Sequence, residues 1–183
     1  MNAIAATHHW LEQAVIGLNL CPFARAVYVK RQIRWVESLA REAVDLREDF
    51  VRELQFLAAA DPETVDTTLL IHPHALNDFL EYNDFLDVAD AAIEEHGLAG
   101  ILQVASFHPA YRFEGAAPDD VENFTNRSPH PMLQLLREDS ISHAIAAFPY
   151  AAAIYERDVA TLRHIGTSGW HKLMFRADSS SDE

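Results

Sequence analysis

Three short apolar runs separated by two long amphipathic stretches constrain this chain more than any other feature. Ile33–Val36 alternates apolar with charged residues, Thr67–Ile71 is a compact β-branched and aliphatic run, and Ile101–Ser106 is a third. Runs of this length bounded by turn residues read as strands. Between the first two, Leu39, Ala43, Leu46, Phe50, Leu54 and Leu57 recur at spacings of three and four, which predicts a helix from about Leu39 to Ala60, stopped by Asp61-Pro62. Between the second and third, Asp78 with Glu81 resembles a capping box. Phe79, Tyr82, Leu86, Ala89 and Ile93 form the buried stripe of that helix, and Gly97 ends it. Strands alternating with helices predict right-handed βαβ units, hence an α/β fold with a small, mostly parallel sheet of three to four strands packed by helices. Val27–Val29 or Tyr111–Phe113 could supply an edge strand.

The two ends read as helical. Thr7 is a suitable N-cap for a helix running to about Leu20, where Pro22 disfavours continuation. Ser128 as N-cap with Pro129 in the first position predicts a helix to about Glu138. Ser140–Ala147 follows as a short helix and Tyr150–Ile165 as a longer one ending at Gly166. Residues 1–176 are therefore expected to form a single globular domain, and the polar, acidic 177–183 a disordered tail.

The chain has 183 residues, enough for one domain with a real core. No apolar run approaches the roughly 20 residues of a membrane span, and the N-terminus lacks a secretory pattern. Cys21 is the single cysteine, so no internal disulfide can form and a reducing cytoplasm is the expected compartment. The net charge of -14, with scattered basic residues that are nearly all arginine, argues against a nucleic-acid partner. Any anionic ligand must be drawn by a local cluster against the overall field.

The segment from Phe107-His108-Pro109 to Thr125-Asn126-Arg127-Ser128-Pro129-His130-Pro131 concentrates polar, titratable and stiff residues beyond what a connection needs. Ligands on parallel sheets bind beyond the carboxyl ends of the strands. His72 and His74 follow the second strand and His108 the third, so all three are expected on one rim. Asn126, Arg127 and Ser128 at a helix start would form an anion cradle, since a helix N-terminus offers unpaired N–H groups and Arg a planar fork of donors. His108 would then move protons at its edge, and Tyr111, with Phe113 and Phe124, would wall the pocket. The competing reading is that Arg127 pairs with Asp119 or Glu122 and Asn126 merely turns the chain.

His72 and His74, two apart in an extended segment, could share a metal completed by His108 or His130. However, no HExxH or paired-Cys motif is present, and histidines also simply satisfy strand ends. Cys21 could act as a nucleophile with His108 as base, and in the acid–base reading Cys21 or His72 could assist His108. The favoured reading is a buried structural thiol, because Cys21 follows a helix C-terminus, where a thiolate is disfavoured. Asp84, Asp87 and Asp90 read as a solvated helix face. No motif identifies a cofactor.

The strings Gly17-Leu18-Asn19-Leu20-Cys21-Pro22-Phe23-Ala24, Ala105-Ser106-Phe107-His108-Pro109 and Thr125-Asn126-Arg127-Ser128-Pro129 resemble those of a bacterial family catalogued as a domain of unknown function. The similarity spans about Trp10 to Leu173. It implies one intact bacterial domain and names no reaction, cofactor or catalytic residue. Three readings follow from the residues: a small-molecule enzyme with an anionic substrate, a metal-dependent enzyme with a histidine-built site, and a non-catalytic binding or assembly protein.

Overall fold

The computed structural model describes residues 2–147 and 151–174. Its centre is a four-stranded sheet of β1 (Ile33–Glu37), β2 (Thr67–Ile71), β3 (Leu102–Phe107) and β4 (Met132–Arg137), in the order β1-β2-β4-β3. β1 and β2 are parallel, whereas β4 is antiparallel to both β2 and β3. The α/β class holds, but the sheet is not mostly parallel: it is mixed, with one parallel pair. The three expected strands do run in one direction, since β2 and β3 both oppose the β4 strand between them.

β4 replaces the helix expected from Ser128 to Glu138. Met132-Leu133-Gln134-Leu135-Leu136-Arg137 is built of good helix formers, yet it pairs on both sides, from Ile71↔Met132↔Phe107 at one end to Leu102↔Arg137 at the other. Local propensity is a weak prior against two ladders of hydrogen bonds and burial on both faces. Ser128 does not cap a helix; its hydroxyl donates to the carbonyl of His130 at 2.6 Å and shapes the turn into β4. Neither proposed edge strand forms: Val27–Val29 belongs to α2 (Ala24–Val29), and Tyr111–Phe113 is irregular.

Strand alternation sorts the core into two layers. Leu70, Leu102, Leu133 and Leu135 face α3 (Ala43–Ala59) and α4 (Phe79–Glu95), where they meet Phe50, Leu54, Tyr82 and Ala89. Leu69, Ile71, Met132 and Phe107 face the other way, onto α1 (Ala3–Trp10), its π-helical continuation Leu11–Ile16, the 3-10 helix Val121–Asn126 and α6 (Ala151–Met174). α5 (Glu138–Ala147) follows β4 directly.

Two helix starts illustrate local control. Asp78 caps α4 by accepting from the N–H groups of Leu80 and Glu81. α1 starts earlier than Thr7, because Asn2 accepts from Ala5 N–H at 2.7 Å, while the Thr7 hydroxyl bonds back to the Ala3 carbonyl within the helix. At the other end the first helical segment of α6 stops at Gly166 as expected, since its φ of 59° and ψ of 179° are non-helical, and a second segment follows it across the kink to Met174. The start proposed at Tyr150 and the acidic tail 177–183 lie outside the described residues. No described helix is long and apolar enough to cross a membrane.

Candidate functional site

The carboxyl ends of β1, β2 and β3 share one edge of the sheet with the amino end of β4. His72, His108 and Pro131 adjoin there, and the His72 N–H donates to the Pro131 carbonyl. The histidine side chains, however, turn into the α4 layer. His72 is fully buried, and its ring stacks on Tyr82 with 5.8 Å between centroids. Its Nδ1 lies 3.0 Å from the Ala75 carbonyl, which requires the proton on Nδ1, and its Nε2 has no hydrogen-bond partner among the described residues. An imidazolium there would be stranded, so burial lowers its pKa to about 4, the neighbouring His108 adding to the effect against a raising contribution from the Ala75 carbonyl.

His108 is 1% exposed and sits between Tyr82 and Phe79. Ala110 N–H donates to its Nδ1 at 3.0 Å, and the proton on Nε2 is directed to the Leu76 carbonyl at 3.2 Å. Both ring nitrogens are therefore committed to backbone, and burial lowers the pKa. Tyr82 ties the same region together: its hydroxyl donates to the Met132 carbonyl and accepts from Phe107 N–H, both at 2.9 Å. The His72–Tyr82–His108 group thus locks the rim where β3 leaves the sheet.

The other proposed site residues divide. Asn126 uses its amide N–H on the Ser106 carbonyl and its oxygen on the Thr125 hydroxyl. Tyr111 packs its ring against Phe79 and Phe113. Cys21 belongs to the second core layer, and burial raises its thiol pKa despite N–H donors from Phe23 and Ala24. Among the described residues no three His, Cys, Asp or Glu side chains are gathered to hold one ion, so His72, His74, His108 and His130 do not form the shared metal site considered above.

Arg127, Ser128 and His130 do share a cavity, of about 550 Å³, between α1, the segment before β4, and the end of α6. It opens beside Pro109, just past β3, on the face opposite His72 and His108. The helix N-terminus expected to help Arg127 is absent: the 3-10 helix ends at Asn126, and Arg127 has extended backbone. Instead the guanidinium sits 4.9 Å from the Phe124 ring centroid and donates from Nε to the Tyr111 carbonyl and from Nη2 to the Pro118 carbonyl. It forms no ion pair among the described residues, and Glu122 pairs with Arg163. Asp119 lines the cavity and partly offsets the desolvation that lowers the Arg127 pKa. Burial likewise lowers the pKa of His130, opposed by Glu37 and reinforced by His74.

Six cavity residues were not foreseen: Ala6, His9, Thr167, Trp170, His171 and Met174. Thr167, Trp170, His171 and Met174 form an i, i+3, i+4, i+7 stripe. That signal lay in the sequence, in the segment beyond the helix end at Gly166, to which no helix was assigned. Trp170 stacks on Phe124, 5.2 Å between centroids and 14° between planes, and His9 Nε2 lies 3.0 Å from the Leu173 carbonyl.

The fold and site define a two-layered mixed α/β domain with a partly apolar pocket beside the half-buried guanidinium of Arg127. The chain belongs to the family described as protein of unknown function (DUF1415), whose model matches residues 2–172. No curated protein and no solved structure matches it.

Proposed function

We propose that this domain binds a small anionic organic molecule in the cavity between α1 and α6, with Arg127 as the anion-binding group. One observation carries the reading: a half-buried guanidinium without an ion pair among the described residues lines a cavity of about 550 Å³ in a chain of net charge -14. Ligand pockets fall in the range of about 300–1,000 Å³ and combine apolar walls with a few placed polar groups. His130, neutral near pH 7, replaces His108 as the group able to accept a proton there, which keeps an enzymatic role within this reading.

Thermal-shift and calorimetric titration with acetate, phenylacetate, succinate, inorganic phosphate and AMP tests this. Arg127 also staples the Tyr111 and Pro118 carbonyls, so Arg127→Met will lower the apo stability whether or not a ligand binds. Ala6→Phe, which fills the cavity from α1 and touches none of those bonds, is the second variant. At least one anion should raise the Tm, and both variants should abolish the rise. If no anion binds, or if the folded Ala6→Phe protein responds like the parent, the reading is wrong.

A further inference from the structure

Building on that reading of the cavity, we infer that its ligand is a monocarboxylate with a flat apolar body, of the arylcarboxylate or arylacetate kind, and not a phosphate ester or a nucleotide. The charge count is the first ground. Among the described residues Arg127 is the sole Arg or Lys in the cavity wall, and two of its three guanidinium nitrogens already donate to the Tyr111 and Pro118 carbonyls. What remains suits one carboxylate edge, whereas phosphate groups call for several donors around three oxygens. Asp119 in the same wall opposes a second negative charge. No long helix begins at the Arg127 side to add its N–H groups, because the adjoining 3-10 helix ends there.

The wall itself is the second ground. Trp170 and Phe124 stack nearly parallel, 14° apart, and Pro109, Pro129 and Met174 extend the apolar surface. Both rings are nearly buried, 5% and 2% exposed, so they meet the cavity by their edges, and a flat ring gains there through edge contact. Spacing is the third. The guanidinium carbon is 4.9 Å from the centroid of Phe124, the ring on which Trp170 stacks. A molecule that contacts both must therefore carry its carboxylate close to its ring, with at most a short connector. His130 in the wall, whose pKa burial lowers, offers a hydrogen bond to a further polar substituent without a fixed charge.

Calorimetry with phenylacetate, phenylacetamide, acetate, inorganic phosphate and AMP decides the matter. Phenylacetate should bind at least about tenfold tighter than any of the others and should change the fluorescence of Trp170, a change lost in Trp170→Leu. Removing either half of the ligand, the ring in acetate or the charge in phenylacetamide, should each cost that tenfold, about 1.4 kcal/mol. Phosphate or AMP binding as tightly as phenylacetate, with the Ala6→Phe variant blocking it, would overturn this inference and leave the anion-site reading intact. Phenylacetamide binding as well as phenylacetate would overturn both the carboxylate assignment and the role of Arg127. Binding of none of the five would remove both.

Discussion

Replacing His72 by Asn should remove most of one proton's worth of acid sensitivity from the fold, and the size follows from where the ring sits. In the unfolded chain His72 titrates near 6.5; in the folded protein it does so at about 4, because the ring is fully buried with no acceptor for an Nε2 proton among the described residues. The folded value is the lower one. Above pH 6.5 neither state is protonated at this site and stability is unaffected. As pH falls from 6.5 towards 4 the unfolded chain takes up a proton that the folded protein refuses, and stability declines. Below about 4 both states bind it and the loss stops growing. At about 1.4 kcal/mol per pH unit, the full difference amounts to about 3 kcal/mol.

Asn is the informative replacement because its amide N–H can approximate the Nδ1 donor to the Ala75 carbonyl and does not titrate in this range. Urea unfolding of both proteins at several pH values from 7.5 to 4 gives the two stabilities as a function of pH. His108 and His130, whose pKa values burial also lowers, are present in both proteins, so their own contributions largely cancel in the difference. The parent should lose its advantage over His72→Asn, or deepen its deficit, by about 3 kcal/mol across that span. A stability difference that stays flat with pH would refute the reasoning, as would one that moves in favour of the parent on acidification.

Three other substitutions read different parts of the structure. Arg137 sends its guanidinium to the carbonyls of Leu57, Ala60 and Val65, closing the end of α3 from β4; Arg137→Ala should cost about 3 kcal/mol in chemical denaturation, and Arg137→Lys, which loses the fork, should recover less than half of it. Tyr82→Phe strips the hydroxyl from the Met132 carbonyl and the Phe107 N–H and should cost about 2 kcal/mol by the same assay, with faster amide exchange at Phe107. Gly166→Ala forces a side chain into a backbone region that only glycine occupies comfortably and should cost about 1–3 kcal/mol. Because Thr167, Trp170 and His171 hang beyond that kink, the same variant should weaken any anion binding that calorimetry detects, more than Tyr82→Phe does on the opposite layer.

The elements that could be read from the sequence were those whose local and tertiary preferences agree. Thr67–Ile71 is apolar on both faces and is buried on both, so its short β-branched run could hardly be anything but a strand. Asp78 announces α4 because the cap is a local interaction. β4 was missed for the opposite reason: its residues favour helix, Ser128-Pro129 imitates a helix start, and its partners lie more than 60 residues upstream in β2 and about 30 upstream in β3. Pairing at that distance leaves no periodic trace. Among the residues of the candidate site, Arg127 could be picked out as a charge in an unusual loop. The commitment of His108 could not, since it depends on Ala110 folding back after Pro109 and on the Leu76 carbonyl arriving from another loop.

The misassigned strand also explains why the candidate site lies where it does. In a parallel sheet β2 and β3 would be neighbours, and a ligand could rest between the loops that follow them, near His72 and His108. Inserting β4 separates those loops and brings its own entry segment, Arg127 to Pro131, to the same edge. The crowding that results packs His72 and His108 around Tyr82 and seals them from solvent on the α4 layer. The entry segment must then bend to reach β4, and it does so over the α1 and α6 layer, where these two helices leave a cavity beside Arg127. An antiparallel insertion therefore moves the accessible polar groups from the sheet's rim to a pocket built by the terminal helices, and His9 and Trp170, residues far apart in the chain and unremarkable in its pattern, become the walls of the site.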